Sequence, residues 1–315
     1  MYKYHWVIDS EINRLINELE SVKLLIASLP RTQSREANLR QNSLLKSAVF
    51  SARIEGFPDT IHAPKKESQN LLRTYHYLFS GKAPHRLSIS FIKKIHEFVL
   101  RGLASGSGSW RTQPWAPFNR TGSVIYLAPP HPEVPVLMEE FVKFINHLPD
   151  HPGVKSAVAQ FIFEKIHPFA DGNGRVGRLI SAHILNTNGF GFNGLTPFEE
   201  YLNNNRDDYY YHLESDSNCS GFIKYFLQAL VYQSKEHVKE LSSVEKERPE
   251  DSLLPRRREL LQIIRDHPNC SFDFLQRRFR VINGKTLHYD LLKLIEAGFI
   301  HKLGATKGVV YTASK

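Results

Sequence analysis

The feature that most constrains the fold is the segment His-Pro-Phe-Ala-Asp-Gly-Asn-Gly-Arg-Val-Gly-Arg at residues 167–178. Apolar residues recur at helical spacing on both sides, which predicts a helix, a tight loop and a second helix. These residues are Val154, Ala157, Val158, Phe161, Ile162 and Ile166 upstream, and Val176, Leu179, Ile180, Ile184 and Leu185 downstream. Asn188-Gly189 marks the end of the second helix. The pattern therefore brings a polar, glycine-rich loop to the start of an apolar helix.

This loop combines the residue types that phosphate chemistry needs. Glycines allow the backbone to approach an anion, and the N–H groups at a helix start attract it. Arg175 and Arg178 lie one helical turn apart and offer forked donors to phosphate oxygens. The carboxylate of Asp171 is a suitable Mg²⁺ ligand, and His167 is a candidate general base. The alternative, an ordinary turn, requires all these residue types to coincide without a function.

With these residues the chain resembles the Fic family of nucleotide transferases, whose signature is His-x-Phe-x-Asp/Glu-Gly-Asn-Gly-Arg-x-x-Arg. Every defined position is matched. The resemblance implies that His167 is the catalytic base, that Asp171 is the Mg²⁺ ligand and that Phe169 anchors the loop in the core. It implies a nucleotide-binding set in which two glycines and an asparagine form an anion hole and two arginines contact the inner phosphates and the γ-phosphate. This set is Gly172, Asn173, Gly174, Arg175, Gly177 and Arg178.

The reaction implied by the resemblance moves AMP from ATP to a Ser, Thr or Tyr hydroxyl of a target protein, or of the enzyme itself. Pyrophosphate is released. Three alternatives stay open: removal of AMP with Glu55 assisting, transfer from another nucleotide donor, and a DNA-binding regulator that uses the domain as a sensor. The small Gly174 favours ATP, because a larger residue would crowd the anion hole.

A second motif lies upstream, in Ser51-Ala52-Arg53-Ile54-Glu55-Gly56. It matches the family pattern Ser/Thr-x-x-x-Glu-Gly/Asn. Ser51 and Glu55 share a helix face, and Gly56 is suited to end that helix in the left-handed region. By resemblance, Glu55 pairs with Arg178, occupies the place of the γ-phosphate and inhibits the enzyme. The alternative is a solvated glutamate at a helix end.

Residues 110–130 interrupt the helical pattern and predict a short hairpin. Its second strand contains Ser123, Val124, Ile125 and Tyr126. The hairpin resembles the flap of Fic proteins, which holds a target segment as an added strand; a passive surface hairpin is the alternative. The resemblance also puts Tyr209 and Tyr210 against the nucleotide, although core packing explains either tyrosine equally well. For His96, packing is the favoured interpretation.

The C-terminal part reads as a separate module. Charged residues predict a linker over 236–256, and residues 257–315 predict three helices and a two-stranded hairpin that resemble a winged helix-turn-helix. Residues 252–315 hold twelve Lys or Arg against five Asp or Glu, a balance of +7. DNA binding through Lys285, His288 and Lys293 on the third helix is one interpretation, and protein contact is the other.

The expected architecture is mostly α: a helical region with the inhibitory motif over 1–86, a Fic catalytic core over 87–235, the linker and the winged helix. Cys219 and Cys270 are the only cysteines, which excludes a disulfide framework or zinc cluster and fits a reducing cytosol. No apolar run predicts a membrane span or secretory signal. We expect a cytoplasmic enzyme that uses ATP and Mg²⁺, with a homodimer left open. The net charge of +9 suits an acidic partner or ordinary surface charge.

Overall fold

The computed structural model describes residues 3–29, 33–61, 64–115, 128–215, 217–242, 250, 253–279, 282–304 and 308–314. The chain divides into two compact units. The larger comprises residues 1–31 and 36–243, and the smaller comprises residues 244–315 together with 32–35. Most of the described chain is helical, which confirms the predicted fold class. No helix in the described ranges is both long enough and apolar enough to cross a membrane.

The larger unit is an assembly of α-helices. They are α1 (Ser10–Ser28), α2 (Gln33–Ile54), α3 (Lys66–Leu78), α4 (Ile89–Val99), α5 (Val134–His147), α6 (Pro152–Ile166), α7 (Asn173–Thr187), α8 (Phe198–Asn204), α9 (Arg206–Leu213) and α10 (Ser220–Ser242). Helices α6 and α7 are the predicted motif helices. Both are buried on nearly all faces, and α6 packs against α5, α7 and α10. The core of this unit therefore fixes both ends of the loop between α6 and α7.

Backbone conformation sets where these helices end. His167 follows α6 in the left-handed region with φ +47°, and Gly172 precedes α7 with φ +81°. Helix α2 ends as predicted, at Gly56 with φ +88°. A left-handed residue reverses the chain after a helix, and glycine adopts it without a side-chain clash. Two such residues around residues 168–171 fold the loop tightly.

The predicted domain boundaries differ from the structure in two places. Helix α10 continues to Ser242, inside the predicted linker of 236–256, because His237 and Leu241 are buried on its inner face. The expected boundary at residue 86 falls within the larger unit. The predicted flap strand of Ser123, Val124, Ile125 and Tyr126 lies outside the described residues.

The smaller unit has its own apolar core. It contains α11 (Pro255–Asp266), β1 (Cys270–Ser271), α12 (Phe272–Arg278), α13 (Gly284–Glu296), β2 (Ile300–Leu303) and β3 (Val310–Ala313). The three helices and the β2–β3 hairpin match the prediction. Strand β1 was not predicted; it pairs antiparallel with β3, giving the order β1-β3-β2. Buried Asp290 accepts from Arg256 and Arg257, so two arginines of this unit share one internal carboxylate.

Candidate active site

His167 lies at the mouth of the loop, between α6 and an aromatic ring. Its Nδ1 is 3.3 Å from the backbone oxygen of Glu164. A carbonyl only accepts, so this contact assigns the proton to Nδ1 and leaves the lone pair of Nε2 as the base. The Trp115 ring stacks on the imidazole with centroids 3.2 Å apart and planes at 15°. Burial lowers the pKa of His167 to about 3, so the ring is neutral at pH 7.

Two side chains brace the loop from inside. Asn173 receives the Phe169 N–H on Oδ1 at 2.9 Å and donates from Nδ2 to the Phe169 oxygen at 2.8 Å. The Asn173 side chain is buried and bonded to the Phe169 backbone, so the anion-hole role predicted from the sequence would require the backbone N–H of Asn173. His96 stacks on the Phe169 ring with centroids 3.7 Å apart and hydrogen-bonds the Asp171 oxygen at 3.0 Å. His96 therefore packs against Phe169, as the sequence favoured, and its hydrogen bond also holds the loop at Asp171.

The start of α7 already faces an anion. A Cβ added at Gly174 would lie 2.1 Å from Oε1 of Glu55 and 3.2 Å from Nη1 of Arg178. The Glu55 carboxylate therefore lies against the first turn of α7, where the helix dipole favours negative charge. A carboxylate held there is a stand-in for a phosphate, and the donors around it fit a phosphate-bearing ligand.

Arg178 holds the Glu55 carboxylate from a fully buried position. Its Nη2 donates to Glu55 Oε1 at 2.8 Å and to the Ser51 oxygen at 2.8 Å, and its Nε donates to Ser51 Oγ at 2.9 Å. Burial alone would lower the pKa of Arg178, but the Glu55 charge beside it raises that pKa overall. Both polar residues of the upstream motif are thus joined to the last arginine of the loop.

Asp171 and Arg175 form the second ion pair of the site. Asp171 Oδ1 lies 2.8 Å from Arg175 Nη2, and the Asp171 side chain is 61% exposed while Arg175 is buried. Within the described ranges, no group of three or more His, Cys, Asp or Glu side chains forms a metal site. A Mg²⁺ ion here would therefore take one protein carboxylate and complete its shell with phosphate oxygens and water, the arrangement usual for Mg²⁺ at nucleotides.

The structure shows protein groups around three residues that the resemblance assigns to the nucleotide, namely Tyr209, Tyr210 and Gly177. Tyr209 is 1% exposed, and its hydroxyl receives the amide of Gln160 at 2.8 Å. This ring therefore packs behind Arg178 and does not present a face to solvent. Tyr210 is half-exposed and donates to the Ile54 oxygen at the end of α2. A Cβ at Gly177 would meet Oε1 of Glu164 at 2.7 Å, so this glycine permits close packing of α6 and α7.

Sequence reasoning missed three residues near His167. Glu164 is buried one turn earlier in α6, and burial followed by the Glu55 charge raises its pKa to about 8. Glu164 lies three residues before His167, on the same face of the helix, and this spacing could have identified it from the sequence. Arg111 donates to the His167 oxygen at 2.7 Å, and Trp115 stacks on its ring. No spacing rule connects Arg111 and Trp115 with a residue so distant in the sequence.

This helical unit brings a neutral histidine, a helix start and two arginines together at one loop, which is the chemistry that a phosphate-binding site requires. Residues 86–185 match the Fic/DOC family. The chain is 23% identical to a Fic family protein from Desulfovibrio desulfuricans G20, with a TM-score of 0.66 over 98% of this chain and 97% of that one. A Fic domain-containing signaling protein from Bacteroides thetaiotaomicron gives a TM-score of 0.60 at 17% identity, covering 76% of this chain and 99% of its own.

A curated relative, a probable protein adenylyltransferase from Aquifex aeolicus, is 28% identical over 158 residues. The match covers 46% of this chain and 48% of the relative, so the chain spans about half the length of that protein. The solved structures establish the fold, and the family match covers α6, the loop and α7 as far as Leu185. The chain therefore contains a Fic domain, which confirms the resemblance seen in the sequence.

Proposed function

We propose that this protein is an adenylyltransferase that moves AMP from ATP to a Ser, Thr or Tyr hydroxyl of a protein. The observation that carries the proposal is a neutral His167 beside a helix-start anion site that contains two arginines. The name of the Aquifex aeolicus relative supports the same reaction class.

In this reaction Nε2 of His167 accepts the proton of the target hydroxyl. The hydroxyl oxygen forms a bond to the α-phosphorus, the bond from that phosphorus to the bridging oxygen breaks, and pyrophosphate leaves. Arg175 and the N–H groups of the first turn of α7 stabilise the developing charge. Asp171 would hold Mg²⁺, which would supply further charge neutralisation at the phosphates.

Glu55 is the proposed brake on this reaction. Its carboxylate lies against Gly174 and binds Arg178 at 2.8 Å, in the space assigned to the terminal phosphate. ATP that enters with Glu55 in place cannot use Arg178, so the α-phosphate does not reach its reactive orientation. Release of α2 from Arg178 would activate the enzyme.

The test of the brake is the change Glu55→Gly in the full chain, incubated with Mg²⁺ and ATP that carries a radioactive α-phosphate. We expect faster self-labelling and labelling of lysate proteins, because Arg178 becomes available to the γ-phosphate. The matched control is Glu139→Gly, which removes an exposed glutamate from α5. A Glu55→Gly protein that labels no faster than the parent would remove the autoinhibition. Loss of AMP from a labelled protein would instead favour the reverse reaction.

The test of the base is His167→Ala in the Glu55→Gly background. Transfer should fall about a hundred- to ten-thousand-fold, the usual cost of losing a positioned base. ATP binding should persist, because other groups contact the phosphates. Unchanged labelling would falsify the assignment of His167.

For the smaller unit we propose a winged helix that binds DNA. The charge balance of +7 over residues 252–315 supports this. The exposed stripe of α13 carries Lys285, His288, Tyr289 and Leu292. The mixture of charge and apolar surface on that stripe keeps a protein partner as the alternative outcome.

A further inference from the structure

We propose that Arg111 and Trp115 are positioning residues for the base, and that they link the geometry of His167 to the two ends of segment 116–127. The inference rests on the proposed function, because it assigns these side chains a part in the same reaction. Neither residue belongs to the loop motif or to the inhibitory motif.

The Arg111 guanidinium donates hydrogen bonds to carbonyl groups in three parts of the chain. Its Nε donates to the His167 oxygen at 2.7 Å, its Nη1 to the Gln113 oxygen at 2.9 Å, and its Nη2 to the oxygens of Pro129 and Ile166. The side chain is buried. Its backbone N–H also donates to the Pro168 oxygen at 2.9 Å. One guanidinium therefore joins the end of α6, the chain before residue 116 and the chain after residue 127.

The end of α6 needs such a donor. The last carbonyls of a helix have no intrahelical partner, and Ile166 and His167 are the residues at this end. His167 also has a φ of +47°, a conformation that costs a non-glycine residue about 1 kcal/mol or more. The hydrogen bonds from Arg111 stabilise that conformation. A lysine has no planar fork and cannot reach several carbonyls in these directions at once.

Trp115 fixes the imidazole itself. Its ring covers one face of the His167 ring, so the edge that carries Nε2 is left for substrate. The Trp115 oxygen receives the Ala128 N–H at 3.2 Å, which closes the two ends of segment 116–127 against each other. A change at either end of the segment would therefore move the ring that orients the base.

The experiment uses the full chain with Glu55→Gly, comparing Arg111→Lys, Arg111→Gln, Trp115→Phe and Trp115→Ala. We measure kcat and KM for ATP in self-labelling, and we follow the titration of His167 by NMR. Arg111→Gln and Arg111→Lys should each lower kcat about ten- to a hundred-fold, the scale of a small misplacement of a catalytic group. The KM for ATP should change by less than about threefold, since Arg111 binds backbone carbonyls rather than phosphate.

Trp115 provides a readout that does not depend on activity. Trp115→Ala should raise the pKa of His167 from about 3 toward its usual range, because the covering ring is lost. Trp115→Phe should retain most of the depression and of the rate. The other groups that act on His167, namely Arg111, Asp171 and Glu164, stay in place in this pair of variants.

The outcomes separate this inference from the proposed function. If the Glu55→Gly parent labels nothing, the proposed function fails, while the NMR titration still tests the contact of Trp115 with the base. If the Trp115→Ala titration matches the parent, or if Arg111→Gln loses stability but keeps kcat per folded molecule, the positioning role is wrong.

Discussion

Gly174 shows at the residue scale why a single methyl group matters in this loop. The Cβ of an alanine there would lie 2.1 Å from Oε1 and 2.9 Å from Cδ of Glu55. The Glu55 carboxylate would have to shift, and the new methyl would occupy part of the space that it vacates. The same substitution would therefore disturb the proposed brake and crowd the proposed phosphate position.

We predict that Gly174→Ala does not activate the parent and lowers labelling by Glu55→Gly at least about tenfold, with weaker ATP binding. The reason is steric, because the methyl would lie in the proposed position of the phosphate. Gly177→Ala is the contrast, since its methyl would meet Glu164 on the side of α6. That change should lower stability and leave ATP affinity nearly intact. The labelling rate of each variant is measured over a range of ATP concentrations. Equal ATP affinity for Gly174→Ala and its parent would contradict the prediction.

Glu164 gives a second prediction at this scale, concerning stability and pH. Its pKa in the folded protein is raised from 4.5 to about 8, first by burial and then by the Glu55 charge. The folded state therefore retains a proton that the unfolded chain releases above about pH 4.5, and stability falls as pH rises from about 5 to 8. Glu164→Gln should remove this fall and raise the free energy of unfolding at pH 8.5 by about 2–4 kcal/mol.

Urea unfolding at pH 5.5 and pH 8.5 measures the Glu164 effect. The control is Glu139→Gln, an exposed glutamate of α5 for which we expect the same pH dependence as the parent. A Glu164→Gln protein whose stability declines with pH as steeply as the parent would show that Glu164 is ionised in the fold.

At the scale of one element, the C-terminal end of α2 carries the proposed brake. Ser51 in the last turn and Glu55 just after it reach Arg178, and Tyr210 donates to the Ile54 oxygen at 3.0 Å. Gly56 then ends the helix at φ +88°. The position of the inhibitory carboxylate thus depends on a helix end whose stability a backbone change can alter without touching the site.

We predict that Gly56→Ala lowers stability by about 1 kcal/mol and modestly raises self-labelling. Open space surrounds a Cβ at this position, so the cost comes from the left-handed backbone alone. Gly81→Ala is a matched control, because Gly81 has φ +74° and open space as well, and it lies outside the site. It should lose similar stability without any gain in labelling. Thermal unfolding and self-labelling rates are measured for both variants. An equal increase in self-labelling by Gly56→Ala and Gly81→Ala would argue against local control by the end of α2.

Elements with long apolar patterns were predictable, and short or distant ones were not. Helices α6 and α7 follow from apolar spacing, and His167, Arg178 and Glu55 from two local motifs. Strand β1 has two residues, too few for any pattern. The last two turns of α10 read as a linker because charge on an outer helix face resembles charge in a loop. Arg111 was missed because 56 residues separate it from His167, and only the fold brings them together.

At the scale of the whole molecule, the chain couples a Fic domain to a compact basic unit. Several cations of that unit have internal partners, including Arg256 and Arg257 on Asp290 and Arg265 on Glu250. These pairs leave the net charge of +7 over residues 252–315 unchanged, but they engage three arginines that a partner would otherwise contact. Among the predicted contacts, Lys293 pairs with Glu296 and His288 stacks on Phe272, whereas Lys285 is exposed at the start of α13.

We therefore predict that Lys285→Glu in the full chain weakens binding to duplex DNA more than Lys293→Glu does. A lysine that contacts a phosphate releases a counterion, so the salt dependence of Lys285→Glu should decrease by about one unit of log–log slope. Lys82→Glu is the control, because it changes the net charge equally at an exposed position of the larger unit. Fluorescence anisotropy across a salt series measures affinity and slope together.

If Lys82→Glu and Lys285→Glu weaken binding equally, the attraction is diffuse and α13 is not the contact surface. If the parent does not bind at low salt, the exposed Tyr289 and Leu292 make a protein partner the better assignment for this helix.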